Sequence, residues 1–154
     1  MIDSPTIVET GVRKTAVIHL TIPRTEVQKV MGPGLKELMG TLAKQGVKPG
    51  GPWFTHHFKM DPGVFDFEIG VPVEGAFEEA GRVRRGELPA ATVARTVYHG
   101  GYEGLPGAWG EFEAWIKAQG RKSAVSLWET YLTDPSENPD PATWRTELTR
   151  PLIG

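Results

Sequence analysis

The chain has 154 residues, a formal net charge of −2 and no cysteine, and 39% of its residues are hydrophobic. This composition is typical of one folded domain and argues against disorder. The charge gives no support for direct nucleic-acid binding, and the lack of cysteine excludes disulfide bonds, thiolate metal sites and cysteine nucleophiles. Residues 1–5 have neither the basic region nor the apolar run of a signal peptide, so we expect a cytoplasmic protein with no membrane partner.

The first half of the chain is predicted to form a strand, a helix and two further strands. Residues 14–22 are β-branched and apolar, which is typical of a strand. Apolar residues then recur three and four positions apart, as on one helix face, at Val27, Met31, Leu35, Leu38 and Leu42. Gly46 is expected to end this helix, and Gly and Pro at 32–34 predict a kink or break inside it. Two strands follow at residues 52–59 and 64–71, with a turn between them at 61–63.

The second half repeats this order of elements. A strand is predicted at 91–99, and a helix then carries its apolar stripe up to Gly120, at Leu105, Trp109, Phe112 and Ile116. The last two strands are predicted at residues 126–132 and 144–151, with a polar turn between them at 134–141. Matching positions are offset by roughly 74 to 79 residues, which pairs Gly46 with Gly120 and Pro72 with Pro151.

The repeat predicts an α+β fold made of two tandem strand–helix–strand–strand modules. We expect pseudo-twofold symmetry and a cleft between two antiparallel sheets, because each sheet needs cover on the face without a helix. The whole chain, 1–154, is then a single domain. Module one covers about 14–72 and module two about 91–151, and the connector 73–90, which includes residues 81–88, is expected to add a strand.

The strand at 126–132 offers the most informative candidate site. Alternation places Leu127, Glu129 and Tyr131 on one face, and Trp128, Thr130 and Leu132 on the other. We expect Trp128 and Leu132 to face the helix, which directs Glu129 and Tyr131 into the cleft. The alternative is a structural glutamate that pairs with an arginine or a backbone amide.

The repeat also predicts what faces Glu129 in the first half. Thr55 corresponds to Glu129 and His57 to Tyr131, and Trp53 precedes them. Aromatic walls around one buried carboxylate suit a flat organic cation. The alternative is that Trp53 and His57 only complete a core. Tyr102, at the tip of the glycine-rich turn before the second helix, is close enough in sequence to close over a ligand.

No metal or cofactor is expected. His56 and His57 are adjacent on a strand and point to opposite faces, so they cannot chelate one ion, and the other histidines lack ligand-type spacing. The sequence contains no nucleophile elbow, no phosphate-binding loop and no dinucleotide fingerprint.

Taken in order, several short motifs resemble the GyrI-like small-molecule-binding domain family, which is also found as the effector-binding domain of AraC-type and MerR-type regulators. The resemblance covers nearly the whole chain. The residues that carry it are Gly51-Pro52, Phe54, residues 68–73, residues 98–102, Trp109, Trp115-Ile116, residues 129–132, Asp134-Pro135, residues 146–148 and Pro151-Leu152.

The resemblance implies a duplicated fold with a ligand pocket between its halves. It implies that Glu129 meets the ligand and that aromatic residues at Tyr102, Tyr131 and His57 stack there. Two departures matter, since the family usually has Tyr where His57 stands and often Pro where Trp53 stands. A protonated His57 would weaken cation binding, and Trp53 would narrow the pocket or add a stacking wall.

The leading hypothesis is a stand-alone, multidrug-like binding protein for hydrophobic, often cationic aromatic compounds, acting as a sensor or sequestering protein. No helix-turn-helix precedes residue 13, so we do not expect a complete transcription regulator. Two alternatives stay open. One is a hydrolase of cyclopropane-containing genotoxins that uses Glu129 and Tyr131, and the other is a protein-level inhibitor of DNA gyrase. Neither the natural ligand nor the oligomeric state follows from the sequence.

Overall fold

The computed structural model describes residues 2–60, 63–133 and 137–153. It divides into two compact units. Residues 11–90 form the N-terminal unit, and residues 1–10 with 91–154 form the C-terminal unit. In chain order the elements are β1 (Thr6–Thr10), β2 (Arg13–Pro23), α1 (Val27–Lys44), β3 (Phe54–Met60), β4 (Val64–Pro72), β5 (Val83–Leu88), β6 (Ala91–His99), α2 (Leu105–Ala118), β7 (Lys122–Ser123), β8 (Leu127–Tyr131) and β9 (Arg145–Ile153).

The predicted α+β class with two helices on antiparallel strands is confirmed. Gly46 and Gly120 follow the helices with φ of 70° and 73°, the left-handed conformation that glycine adopts without strain. The next N–H then closes the helix end, as Val47 does on the Leu42 carbonyl at 3.0 Å.

The break expected at residues 32–34 is wrong, because α1 continues through Pro33. Packing explains the continuity. A Cβ on Gly34 would lie 2.7 Å from Ile69 Cδ1, so this glycine lets the helix approach β4 closely, and the buried Leu38 and Leu42 fix the following turns on the sheet.

The two units repeat one strand order. It is β3-β4-β2-β5 in the N-terminal unit and β8-β9-β6-β1 in the C-terminal unit, and every one of these pairings is antiparallel. The strands β1 and β7 were not predicted from the sequence. The fourth strand has a different origin in the two units. In the N-terminal unit β5 comes after the strand–helix–strand–strand elements, whereas in the C-terminal unit β1 comes before them.

Strand register supports the correspondence drawn from the sequence. Thr55 lies opposite Ile69 in one unit, and Glu129 lies opposite Leu148 in the other. Ile69 and Leu148 are themselves matching residues of β4 and β9, because Pro72 and Pro151 take matching places opposite β2 and β6. The same register aligns His57 with Tyr131.

Each helix packs on one face of its own sheet. In the N-terminal unit Leu38 and Leu42 pack with Ile18, Phe67 and Ile69. In the C-terminal unit the core residues of α2, β6 and β9 are Ala94, Leu105, Phe112, Ile116 and Leu148. Full burial of such side chains stabilises a fold by about 1.5–3 kcal/mol each.

Parts of the predicted architecture stay predictions. These are the single-domain organisation, the pseudo-twofold symmetry and the cleft between the sheets. The turns expected at 61–63 and 134–141 fall partly outside the described residues, which omit 61, 62 and 134–136. Within the described residues, neither α1 nor α2 combines the length and hydropathy needed to cross a bilayer.

Candidate functional site

Glu129 lies on the sheet face that α2 covers. Its partner across the strands is Leu148, which is fully buried in the core with Phe112 of α2. Residues directly opposite one another in antiparallel strands share a face. The expectation that Trp128 and Leu132 face the helix is therefore wrong, and Leu132 is 42% exposed.

The error has a physical cause. Trp128 is buried on the face away from α2, so large apolar side chains alone do not identify the helix-facing side of this strand. The helix face tolerates a carboxylate because α2 supplies a hydrogen-bond donor for it, and a paired polar group can be buried at much lower cost than an unpaired one.

Two neutral donors hold the Glu129 carboxylate. The indole Nε1 of Trp109 donates to Oε2 at 2.6 Å, and the Tyr131 hydroxyl donates to Oε1 at 2.8 Å. Among the described residues, no lysine or arginine forms an ion pair with Glu129. The alternative of an arginine-paired structural glutamate thus has no support in this geometry.

The environment of Glu129 opposes its negative charge. Burial raises the pKa of the Glu129 carboxyl, and the hydrogen bonds from Trp109 and Tyr131 act in the opposite direction but do not cancel the effect of burial. A cation beside the carboxylate would supply the charge compensation that the two neutral donors cannot.

Aromatic rings extend from this acid. Tyr102, in the 3₁₀ turn before α2, makes an edge-to-face contact with Tyr131 at a centroid distance of 5.8 Å. Its ring also lies 4.9 Å from that of Trp144. We call Glu129, Trp109, Tyr131, Tyr102 and Trp144 the Glu129 cluster. It combines one acid with four aromatic surfaces within the C-terminal unit.

The turn that carries Tyr102 is built on glycines. Gly100 has φ of 140°, a conformation that other residues rarely adopt. The buried Tyr98 hydroxyl donates to the Gly101 carbonyl at 2.9 Å. A Cβ on Gly104 would lie 2.0 Å from the same hydroxyl oxygen, so this position has no room for a side chain. Tyr98 therefore sets the place of Tyr102 through the turn.

The other predicted site residues belong to the N-terminal unit. Thr55 and His57 lie on the α1 face of β3, opposite Ile69 and Phe67. The His57 ring stacks on Phe67 with centroids 5.2 Å apart and planes inclined by 13°. Trp53 precedes β3 and packs, partly buried, against the same core. The structure thus brings Glu129, Tyr131 and Tyr102 together, while a meeting of Trp53, Thr55 and His57 with them stays a prediction.

His56 lies on the other face of β3, opposite Glu68. Burial lowers the pKa of His56 to about 4 and raises the pKa of Glu68. In the part of the chain that the structure describes, no three His, Asp or Glu side chains are placed to hold a metal ion.

Trp109 and Trp144 were not predicted as site residues from the sequence. Trp109 was counted only as a member of the apolar helix stripe and as part of the family resemblance. A signal was present, because an indole N–H on a buried helix face needs an acceptor, but Glu129 was predicted to point away from the helix. Trp144 precedes β9 by one residue, and no spacing rule connects it to Tyr102.

The repeated order of strands and helices defines a small α+β domain made of two similar units. The sequence profile of the GyrI-like small molecule binding domain matches residues 4–153, and the chain belongs to that family. No curated protein matches the sequence.

Solved structures share this fold at low sequence identity. The C-terminal domain of EcmrR has a TM-score of 0.85 and 20% identity, over 97% of each chain. The EcmrR chain in its complex with DNA is longer, and the match covers 57% of it. SAV2435 bound to tetraphenylphosphonium has a TM-score of 0.64 and 13% identity, over 99% of this chain and 95% of that one. A hydrolase from Listeria innocua has a TM-score of 0.66 and 14% identity, over 97% and 91%.

Proposed function

We propose that this protein binds hydrophobic aromatic cations at the Glu129 cluster and acts as a sensor or sequestering protein for them. One observation carries the proposal: Glu129 is a partly buried carboxylate with two neutral donors, and no ion pair joins it to a cation among the described residues. A bound cation would restore the charge balance and favour the ionised acid.

The aromatic residues of the cluster suit the rest of such a ligand. Tyr102, Tyr131 and Trp144 offer ring faces and edges within one continuous set of contacts. Rings of this kind attract cations by about 0.5–2 kcal/mol each and bury apolar ligand surface. The similarity to SAV2435 bound to tetraphenylphosphonium supports the same ligand class for this chain.

The proposal is tested with tetraphenylphosphonium and with triphenylphosphine oxide as a neutral aromatic probe. The five tryptophans allow binding to be followed by fluorescence quenching. We expect micromolar affinity for the cation, equivalent to about 8 kcal/mol, and at least about tenfold weaker binding of the neutral probe. Equal affinity for the two probes would show that no carboxylate selects the ligand and would contradict the proposal.

A hydrolase is the second candidate, because burial raises the pKa of Glu129 toward the range in which a carboxylate works as a general base. Tyr131 would then act as a proton donor. Water would form a bond to one ring carbon as Glu129 takes its proton, and the ring carbon–carbon bond would break. The electron pair released on the other carbon would take the phenol proton of Tyr131, and Glu129 would return a proton to the Tyr131 oxygen that it contacts. Product analysis by mass spectrometry, after incubation with a cyclopropane-containing electrophile, separates the two functions: a ligand gain of 18 mass units that Glu129→Gln abolishes would establish hydrolysis.

A further inference from the structure

We propose that Trp109 is a positioning residue for the ligand acid: its indole N–H keeps the Glu129 carboxylate oriented and ionised while leaving its negative charge free for a cation. This inference rests on the proposed function. It adds a residue of α2 to a site whose acid and phenol both come from β8.

The contact geometry supports this role. The distance from the indole Nε1 of Trp109 to Glu129 Oε2 is 2.6 Å, which is in the short range of hydrogen bonds to charged acceptors. Each carboxylate oxygen receives one side-chain donor, so the two bonds fix the plane of the group. The Trp109 ring also packs 5.7 Å from the ring of the fully buried Phe112, which holds the indole in place from the core side.

Among the described residues of the C-terminal unit, no charged side chain pairs with Glu129 in place of this donor. On the face that Glu129 shares, the residues opposite β8 are the uncharged Leu148 and Thr146, whereas Glu147 lies opposite Thr130 on the other face. The titratable groups described on this face are phenols: Tyr131 donates to Glu129, Tyr102 contacts Tyr131, and Tyr98 lies opposite Thr146. Glu113 lies one helical turn after Trp109 on α2. It accepts a hydrogen bond from Ser123 and forms an ion pair with Arg150. Loss of the indole donor would therefore leave burial opposed by Tyr131 alone.

The choice of an indole has a chemical meaning. An arginine at this position would hold the carboxylate equally well, but its charge would neutralise Glu129 and repel a cationic ligand. An indole donates a hydrogen bond without carrying a charge. Trp109 thus stabilises the ionised acid and preserves its attraction for a cation.

The first test needs no ligand. The carboxyl ¹³C resonance of Glu129, assigned from its absence in Glu129→Gln, is followed against pH in the wild type, in Trp109→Phe and in Trp115→Phe. Trp115 is a matched control, because it lies on the same helix and packs, partly buried, against the same core. We expect the Glu129 midpoint to move to higher pH in Trp109→Phe and to stay in place in Trp115→Phe. An unmoved midpoint in Trp109→Phe would overturn the proposal.

A second measurement uses the unchanged protein and covers the case in which Trp109→Phe does not fold. The indole N–H proton resonance of Trp109 should titrate with the same midpoint as the Glu129 carboxyl, because the bond changes when its acceptor is protonated. An indole resonance that does not follow the Glu129 titration would contradict the role of Trp109 without any variant.

The binding measurement separates positioning from simple packing. At the wild-type midpoint, tetraphenylphosphonium affinity should fall roughly fivefold in Trp109→Phe, and at pH 8.5 it should return to within about twofold of the wild type. An equal loss at both pH values would make Trp109 a packing or contact residue instead. If the wild type binds no cation, the proposed function fails, while the two titrations still decide the role of Trp109.

Discussion

The two units use equivalent positions for opposite chemistry. Strand register aligns Thr55 with Glu129, and the glycines that end the helices align Leu35 of α1 with Trp109 of α2. In the N-terminal unit Leu35 packs against an apolar core. In the C-terminal unit the same place on the helix provides the donor for a carboxylate.

This difference shows which part of the repeated fold is free to vary. The residues one helical turn further on, Leu38 and Phe112, are both fully buried and hold each helix on its sheet. Leu35 and Trp109 themselves lie nearer the start of each helix and are only partly buried. A duplicated domain can therefore place a polar site in one unit without disturbing the frame that both units share.

The largest effects are expected from truncation of the shared frame. Phe112→Ala should lower the free energy of unfolding by about 3–5 kcal/mol, and Leu38→Ala by about 2–5 kcal/mol, because each leaves a cavity under its helix. Urea denaturation measures both, with the exposed Lys117→Ala as a control expected within about 0.5 kcal/mol of the wild type. A loss below about 1 kcal/mol at one position would show that the two helices are not held in equivalent ways.

Removal of the charge at Glu129 should affect binding and leave folding intact. Glu129→Gln keeps the size of the side chain but should weaken tetraphenylphosphonium binding by about 1.5–3 kcal/mol. The melting temperature should stay or rise, since the empty site no longer holds a buried charge. Glu68→Gln is the matched control, because Glu68 is a partly buried acid of the N-terminal unit whose pKa burial also raises. A destabilised Glu129→Gln with intact cation binding would contradict a ligand role for the acid.

The glycine turn before α2 offers a smaller perturbation. Gly104→Ala places a methyl group against the Tyr98 hydroxyl and should destabilise the protein by about 1–3 kcal/mol while displacing Tyr102. Gly107→Ala meets no atom within 4 Å and should be neutral or stabilising by up to about 1 kcal/mol, since alanine favours a helix. Thermal unfolding and cation affinity are measured on both variants. Equal behaviour would show that Tyr98 does not set the position of Tyr102.

Acid should act with opposite sign on Glu129 and on His56. Burial raises the pKa of Glu129, so the folded state takes up this proton before the unfolded state does, and falling pH adds stability. Burial lowers the pKa of His56 from 6.5 to about 4, so the unfolded state is protonated first, and stability is lost as pH falls from about 6.5 to 4. Urea denaturation between pH 7.5 and 4.5 should show a shallower loss in His56→Gln and a steeper one in Glu129→Gln. Parallel pH dependences for the wild type and both variants would contradict the roles given to Glu129 and His56 in acid stability.

Element order and helix ends were predictable because they depend on local chemistry. The stripe from Val27 to Leu42 needs only helical spacing, and Gly46 and Gly120 need only a left-handed residue after the last turn. The strand β1 was not predicted because it has only five residues, none of them fully buried. Its partner β6 also lies more than eighty positions away in the sequence.

Of the five residues of the Glu129 cluster, Glu129, Tyr131 and Tyr102 were predicted from the sequence, whereas Trp109, Trp144 and the arrangement of the cluster were not. Alternation correctly grouped Glu129 with Tyr131, but which face the helix covers depends on tertiary packing, and there the large Trp128 was misleading. The hydrogen bond from Trp109 to Glu129 joins residues twenty positions apart. It depends on which side of α2 faces the sheet, and the alternation of residues along β8 does not predict that. Tyr102 was predicted from its turn, whereas its contact with Trp144 depends on the path of a distant loop.

The pairing of β1 with β6 makes the C-terminal unit discontinuous in the chain. Its first strand is synthesised before the whole N-terminal unit, yet Thr6 pairs with Arg95. During synthesis residues 11–90 can complete their own sheet while β1 waits without a partner. Such a strand exposes unsatisfied backbone groups that can pair with other chains. The order of synthesis therefore lets the N-terminal unit fold first, and the C-terminal sheet is completed only when β1 pairs with β6.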